Sequence, residues 1–96
     1  MIKSFGSKAT EDLYQGFDSK EARTIPRTIW KRAVRKLDVL DSAEELKDIA
    51  SPPANRLEKL KGYLTGRFSI RINKQYRIVF RFEDGNVFDV EIADYH

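Results

Sequence analysis

Two arginines, Arg71 and Arg77, bracket the segment INKQY, and further on comes the run ADYH, which carries Asp94, Tyr95 and the only histidine, His96. Upstream, Glu58 and Lys61 stand in a basic stretch, RLEKLKG. These residue types suit one kind of chemistry. Cleaving an RNA phosphodiester needs a base for the 2′-hydroxyl, an acid for the departing 5′-oxygen, and cations for the charge that builds on phosphorus. Guanidinium groups hold phosphate through paired hydrogen bonds, imidazole exchanges a proton near neutral pH, and an aromatic ring can stack an unpaired base. Taken singly, each residue also fits a plainer role: a solvated strand arginine, a turn lysine before Gly62, a tyrosine anchoring the last strand, an aspartate paired with an arginine, a frayed terminal histidine. Only a fold that gathers them makes them a site.

Other chemistries find less in the chain. There is no cysteine, hence no disulfide or thiolate metal site, and one histidine among scattered carboxylates has no recognisable ligand spacing. Phosphate loops of the GxxxxGK[ST] type, GxGxxG runs and nucleophile elbows are missing. No apolar run approaches the roughly 18 residues of a membrane span, so a cytoplasmic chain without membrane contact is expected. The net charge is only +3, but it is unevenly spread: residues 20–36 hold Lys20, Arg23, Arg27, Lys31, Arg32, Arg35 and Lys36 against Glu21 alone. Such a cluster is either a solvated helix face or a surface for a polyanion or an acidic partner.

The elements that must position these residues follow from periodicity. With 96 residues, 41% of them hydrophobic, the chain can bury one core and is expected to form a single domain over 1–96. MIKSF reads as a short first strand closed by Gly6. Ser7 is a plausible N-cap for a helix carrying Ala9, Leu13 and Phe17, ended by Gly16. Ile25, Ile29, Ala33, Leu37 and Leu40 recur at helical spacing, with Trp30 and Val34 on the same flank, predicting a helix of about five turns with Thr24 as N-cap and Pro26 in its first turn. A further turn or two from Ser42, with Leu46 and Ile49 inward, should stop at SPP.

Beyond Pro53 the period becomes two. Residues 67–72, 76–82 and 87–93 predict three strands whose apolar rows, Phe68, Ile70 and Ile72, then Tyr76, Ile78, Phe80 and Phe82, then Phe88, Val90 and Ile92, all fall on even numbers. Opposed residues of an antiparallel pair share a face, so both hairpin loops are expected to hold an odd number of residues, such as Asn73 to Gln75 and Asp84 to Asn86. That register sets Arg81 against Asp89. It also sets Arg71 against Arg77 on the face away from the helices, where like charges cost up to about 1 kcal/mol and an anion such as phosphate would compensate. The fold class is therefore α+β, with an N-terminal strand and two to three helices packed on one face of a small antiparallel β-sheet.

The order of these pieces, MIKSF, then SPPANRLEKLKG and SIRINKQYRIVF, then VEIADYH, resembles the HigB-type toxins, or plasmid maintenance system killer proteins, of the RelE superfamily. The resemblance covers essentially the whole chain. It implies a RelE-like fold and a metal-free, cofactor-free, ribosome-dependent endoribonuclease that cuts mRNA in the ribosomal A site. It further implies neutralisation by a HigA-type helix-turn-helix antitoxin and contact with operator DNA through the antitoxin complex. Arg71 and Arg77 then match phosphate-binding and transition-state arginines, and Asp94, Tyr95 and His96 a closing catalytic tripeptide. Lys61 sits where some members place a catalytic lysine, and Glu58 where some carry a histidine. That departure leaves His96, Glu58 and Lys61 all open as the general base. A basic module that only binds nucleic acid or a partner protein is the alternative.

Overall fold

The structure is a computed structural model that describes residues 1–95; the predicted role of His96 falls outside the described residues. Three helices, α1 (Lys8–Gln15), α2 (Trp30–Ser42) and α3 (Leu46–Ala50), precede four strands, β1 (Glu58–Lys59), β2 (Arg67–Arg71), β3 (Tyr76–Glu83) and β4 (Asn86–Asp94). The strands form an antiparallel meander in chain order. Ile70, Ile72, Ile78, Phe80, Val87 and Val90 from one sheet face meet Leu13, Ala33, Leu37, Leu40 and Ile49 from the helices in the core. Burying each such large aliphatic or aromatic side chain is worth about 1.5–3 kcal/mol. Among the described residues no helix is long and apolar enough to cross a membrane.

The first helix starts and stops as predicted. The Ser7 hydroxyl accepts the Thr10 N–H at 3.2 Å, and Gly16 takes the left-handed conformation at φ 85 that ends the helix. The Thr10 hydroxyl in turn accepts the Ile92 N–H at 2.9 Å, tying α1 to β4. Phe17, predicted inward, is mostly exposed.

The second helix begins later than its periodicity predicts. Pro26 has ψ 128, an extended value that breaks any helix through it; two 3₁₀ turns, Ala22–Thr24 and Arg27–Ile29, carry Ile25 and Ile29 into the core before α2 starts. Thr24 is not an N-cap: its hydroxyl donates to the Glu21 carbonyl at 2.7 Å. Likewise Ser42 ends α2, and the next helix starts after Glu45, where Glu45 and Asp48 form a reciprocal capping box.

The MIKSF segment runs beside β4 in parallel, but its pairing is limited to two bridges, Ile2 with Val87 and Phe5 with Val90. Its Gly6 is crowded, since a Cβ there would lie 3.0 Å from the Asp89 carbonyl oxygen.

The Asn73–Gln75 loop and the Arg71–Arg77 register are as expected. The next hairpin is not. Glu83 pairs with Asn86, so its loop has two residues, Asp84 and Gly85, both at positive φ as a mirror-image turn requires. An even loop would turn β4 inside out, and a one-residue bulge at Asp89, φ 54, restores the register toward the chain end. Between turn and bulge the faces are exchanged: Val87 is buried in the core and Phe88 lies on the open face, its ring 5.0 Å from the Arg81 guanidinium. The Arg81 and Asp89 side chains still meet, at 2.9 Å, although Arg81 has Phe88 as its backbone partner.

One buried carboxylate links stability to pH. Asp12, only 4% exposed, accepts hydrogen bonds from the Ser19 hydroxyl at 2.6 Å and from Lys8 Nζ at 3.0 Å. The Ser19 bond first, and then the Lys8 bond, hold its carboxyl below the usual aspartate range. Its stabilisation is therefore complete above the unfolded value, about 3.9, and is lost as pH falls through that value and the lower folded one. Asp12→Asn should melt below wild type at neutral pH, and the gap should close as the medium is taken from about pH 5 toward about pH 2. Thermal melts of both proteins across that range check it; a gap independent of pH contradicts it.

Candidate functional site

The open face of the sheet carries two cross-strand arginine pairs, Arg67 with Arg81 and Arg71 with Arg77. They are neutralised differently. Asp89 lies 3.6 Å from Arg67 and 2.9 Å from Arg81, and Glu83 adds a further contact to Arg81 at 3.1 Å. Arg81 accordingly holds Asp89 well below the usual carboxylate range. The first pair is closed by Asp89 of the neighbouring strand β4 and by Glu83 at the end of β3 itself.

The second pair is not. Arg77 is 9% exposed; its Nε donates to the Ser69 hydroxyl at 2.8 Å, Nη2 donates to the Arg56 carbonyl, and Glu58 stands 3.8 Å away. Arg71 donates through Nε to the Asn73 carbonyl at 3.1 Å, and among the described residues no carboxylate lies within ion-pair distance of it. Arg56, Glu58, Arg71, Asn73, Lys74, Arg77 and Tyr95 together line a groove of about 320 Å³. Among the described residues, four cations face one carboxylate across it, the composition of an anion site.

Each wall has a local cause. Arg56 follows Asn55, which is wholly buried and donates to the Ile49 and Ser51 carbonyls at 2.9 and 3.2 Å while accepting from Lys36. That anchor forces Arg56 to φ 49, a left-handed conformation uncommon for a side-chain-bearing residue, and turns its carbonyl toward Arg77. The hairpin loop is set by the Asn73 side chain, which accepts the Gln75 and Tyr76 N–H groups at 2.9 and 2.7 Å. Gln75 in turn accepts the Tyr95 N–H and donates to Asp94 at 3.1 Å, bringing the end of β4 to the loop.

Of the residues singled out by sequence, the groove gathers Arg71, Arg77, Glu58 and Tyr95. Asp94 stands beside it, bonded to Gln75 and lining a neighbouring groove. Lys61 is exposed ahead of the 3₁₀ turn Gly62–Leu64 and does not line the groove. Sequence reasoning missed Arg56, Asn73 and Lys74. Arg56 opens the basic RLEKLKG stretch and Lys74 tops the expected loop, so their charge was visible; what was not visible was the buried Asn55 next to Arg56, whose carbonyl meets Arg77.

A second basic groove, of about 710 Å³, continues from the first through Arg56, Arg71, Asn73 and Lys74 to Arg32, Arg35 and Lys36 on α2. Burial, reinforced by the charges of Arg32 and Arg35, lowers the Lys36 ammonium below the usual lysine range. The basic cluster noted over residues 20–36 thus divides. Arg23 and Arg27 pair with Asp18 at 3.3 and 2.7 Å, with Arg27 also stacked 4.4 Å over Trp30, whereas Arg32, Arg35 and Lys36 face the groove.

Helices on one side of an antiparallel meander, with arginines gathered on its other face, define the architecture of RelE-like toxins. The chain belongs to the HigB-like family: residues 3–96 match the sequence profile described as "RelE-like toxin of type II toxin-antitoxin system HigB". It is 45% identical over 85 residues to Toxin HigB-1 of Vibrio cholerae serotype O1, an alignment covering 88% of this chain and 87% of the relative. It is 30% identical to the endoribonuclease HigB of Proteus vulgaris over all of both chains. Among solved structures, the heterotetrameric YoeB–YefM toxin-antitoxin complex of Staphylococcus aureus contains a chain that superposes at a TM-score of 0.56 with 27% identity, covering 100% of this chain and 98% of that one. The fold and family expected from the sequence are those observed.

Proposed function

We propose that the chain is the toxin of a type II toxin–antitoxin pair and acts as a ribosome-dependent endoribonuclease, cutting mRNA in the ribosomal A site without metal or cofactor. The observation that carries this reading is the groove lined by Arg56, Arg71, Lys74 and Arg77, with Glu58 as its one carboxylate among the described residues. The 2′-hydroxyl of the bound nucleotide attacks the adjacent phosphorus; the bond to the 5′-oxygen breaks, leaving a 2′,3′-cyclic phosphate and a 5′-hydroxyl. Arg71 and Arg77 hold the phosphate and stabilise the extra charge of the phosphorane. His96 with Asp94 handles a proton and Tyr95 positions the sugar or base. Glu58, beside Arg77, and Lys61, on the neighbouring turn, remain alternative bases. The relatives support the activity by likeness: one is named an endoribonuclease, and another structure pairs its toxin with an antitoxin. A HigA-type helix-turn-helix antitoxin, with operator DNA reached through the complex, fits the same reading, as does the cytoplasm, where message is translated.

Inducing the chain in cells and mapping mRNA 5′ ends by primer extension should reveal cuts confined to translated message. Cuts in untranslated transcripts contradict ribosome dependence. Affinity for RNA with no cutting anywhere favours a binding module of the same fold.

A further inference from the structure

The open sheet face holds a second concavity whose chemistry is opposite to that of the basic grooves. The 3₁₀ turn Gly62–Leu64 stands beside the sheet, and Tyr63, Leu64, Val79, Glu91, Asp94 and Tyr95 line a space of about 810 Å³. Val79 and Leu64 supply apolar surface, and Val79 is only 7% exposed. Tyr63 is 97% exposed, an aromatic ring left almost wholly in water, and Tyr95 lines both this space and the arginine groove. Glu91 is exposed, and among the described residues its carboxylate has no hydrogen-bond or ion-pair partner. Among the described residues no lysine or arginine lines the space.

We propose that this concavity is a nucleobase subsite, in which Tyr63 stacks a base of the RNA whose phosphate lies in the Arg71–Arg77 groove and Glu91 reads that base's edge. The inference rests on the cleavage site proposed above and adds what it selects. A phosphate would be repelled by Glu91 and Asp94, whereas a base is uncharged, offers a π-face to a tyrosine and offers N–H donors to a carboxylate. Tyr95, common to both linings, joins the base space to the phosphate groove. A carboxylate accepts two N–H groups from guanine but only one from uracil, so guanine is favoured and uracil least favoured. A basic segment of a partner protein is the competing occupant.

Binding is read with non-cleavable 2′-O-methyl trinucleotides added to the full chain, following tyrosine ring resonances by NMR. Tyr63 should shift upfield. Tyr63→Ala should weaken binding by about 5- to 150-fold, the range for loss of one stacked base, and Tyr63→Phe should retain it. Since Tyr63 is exposed, neither change disturbs the core. Glu91→Gln should narrow the preference for guanine over uracil by about 5-fold or more. A Tyr63 signal unmoved by RNA, or equal affinities of wild type and Tyr63→Ala, overturns the subsite; so does a Tyr63 shift that only an antitoxin produces. Wild type that shifts at Tyr63 yet cuts no translated message supports the subsite and overturns the cleavage reading instead, which keeps the two failures distinct.

Discussion

On the proposed function, Arg77→Lys should cut translated message about 10²–10³-fold more slowly than wild type, the scale on which one fixed donor to a developing oxyanion counts, while its melting temperature should change far less. The expectation follows from how Arg77 is held. Its Nε is committed to Ser69 at 2.8 Å and one terminal nitrogen to the Arg56 carbonyl, so the guanidinium plane is fixed before RNA arrives. A fixed donor costs no reorganisation as charge builds on the phosphorane. Lysine keeps the charge but not the fork: three rotating donors on a flexible stem cannot satisfy Ser69, the Arg56 carbonyl and a phosphate together. Arg77→Ala adds a fold defect, because the Arg56 carbonyl and the buried Ser69 hydroxyl lose their partner, at about 1–3 kcal/mol for each group left unsatisfied. Single-turnover cutting of ribosomes programmed with one A-site codon measures the first effect, and thermal unfolding the second. A lysine variant that cuts at the wild-type rate removes Arg77 from the chemistry.

The same arginine shows what could be read from sequence. Its register against Arg71 followed from parity alone, because apolar rows on even numbers leave few alignments that bury them, and that alignment is the one observed. The following hairpin defeated parity, since a two-residue turn with a bulge at Asp89 gives nearly the same placement of β4 as an odd loop. Composition marks Asp84 and Gly85 as a turn but gives no sign of an extra residue farther along. Helix α2 shows a different limit: helical spacing persists through Ile25 and Ile29 because 3₁₀ turns also return a side chain to the same face about every three residues, so the pattern survived where the helix did not. The site was legible in its strand residues and not in Arg56, whose orientation depends on buried contacts of Asn55 made across the fold.

His96→Ala should lower the cutting rate by about 10²–10⁴-fold, the contribution of a positioned acid or base, with RNA affinity unchanged. Lys61 lies off the groove, and the Glu58 carboxylate is already engaged by Arg77 at 3.8 Å. Tyr95 lines the groove, and His96 is the next residue in the sequence. The pH profile then assigns the role. If His96 is the base, the wild-type rate rises with pH until the imidazole is neutral and then levels; if it is the acid, the rate falls over the same limb. In either case His96→Ala loses that limb of the profile while Glu58→Gln keeps it. Should the limb disappear with Glu58→Gln and survive in His96→Ala, the proton is carried by the carboxylate on β1, and the tripeptide serves only to close the groove around the RNA.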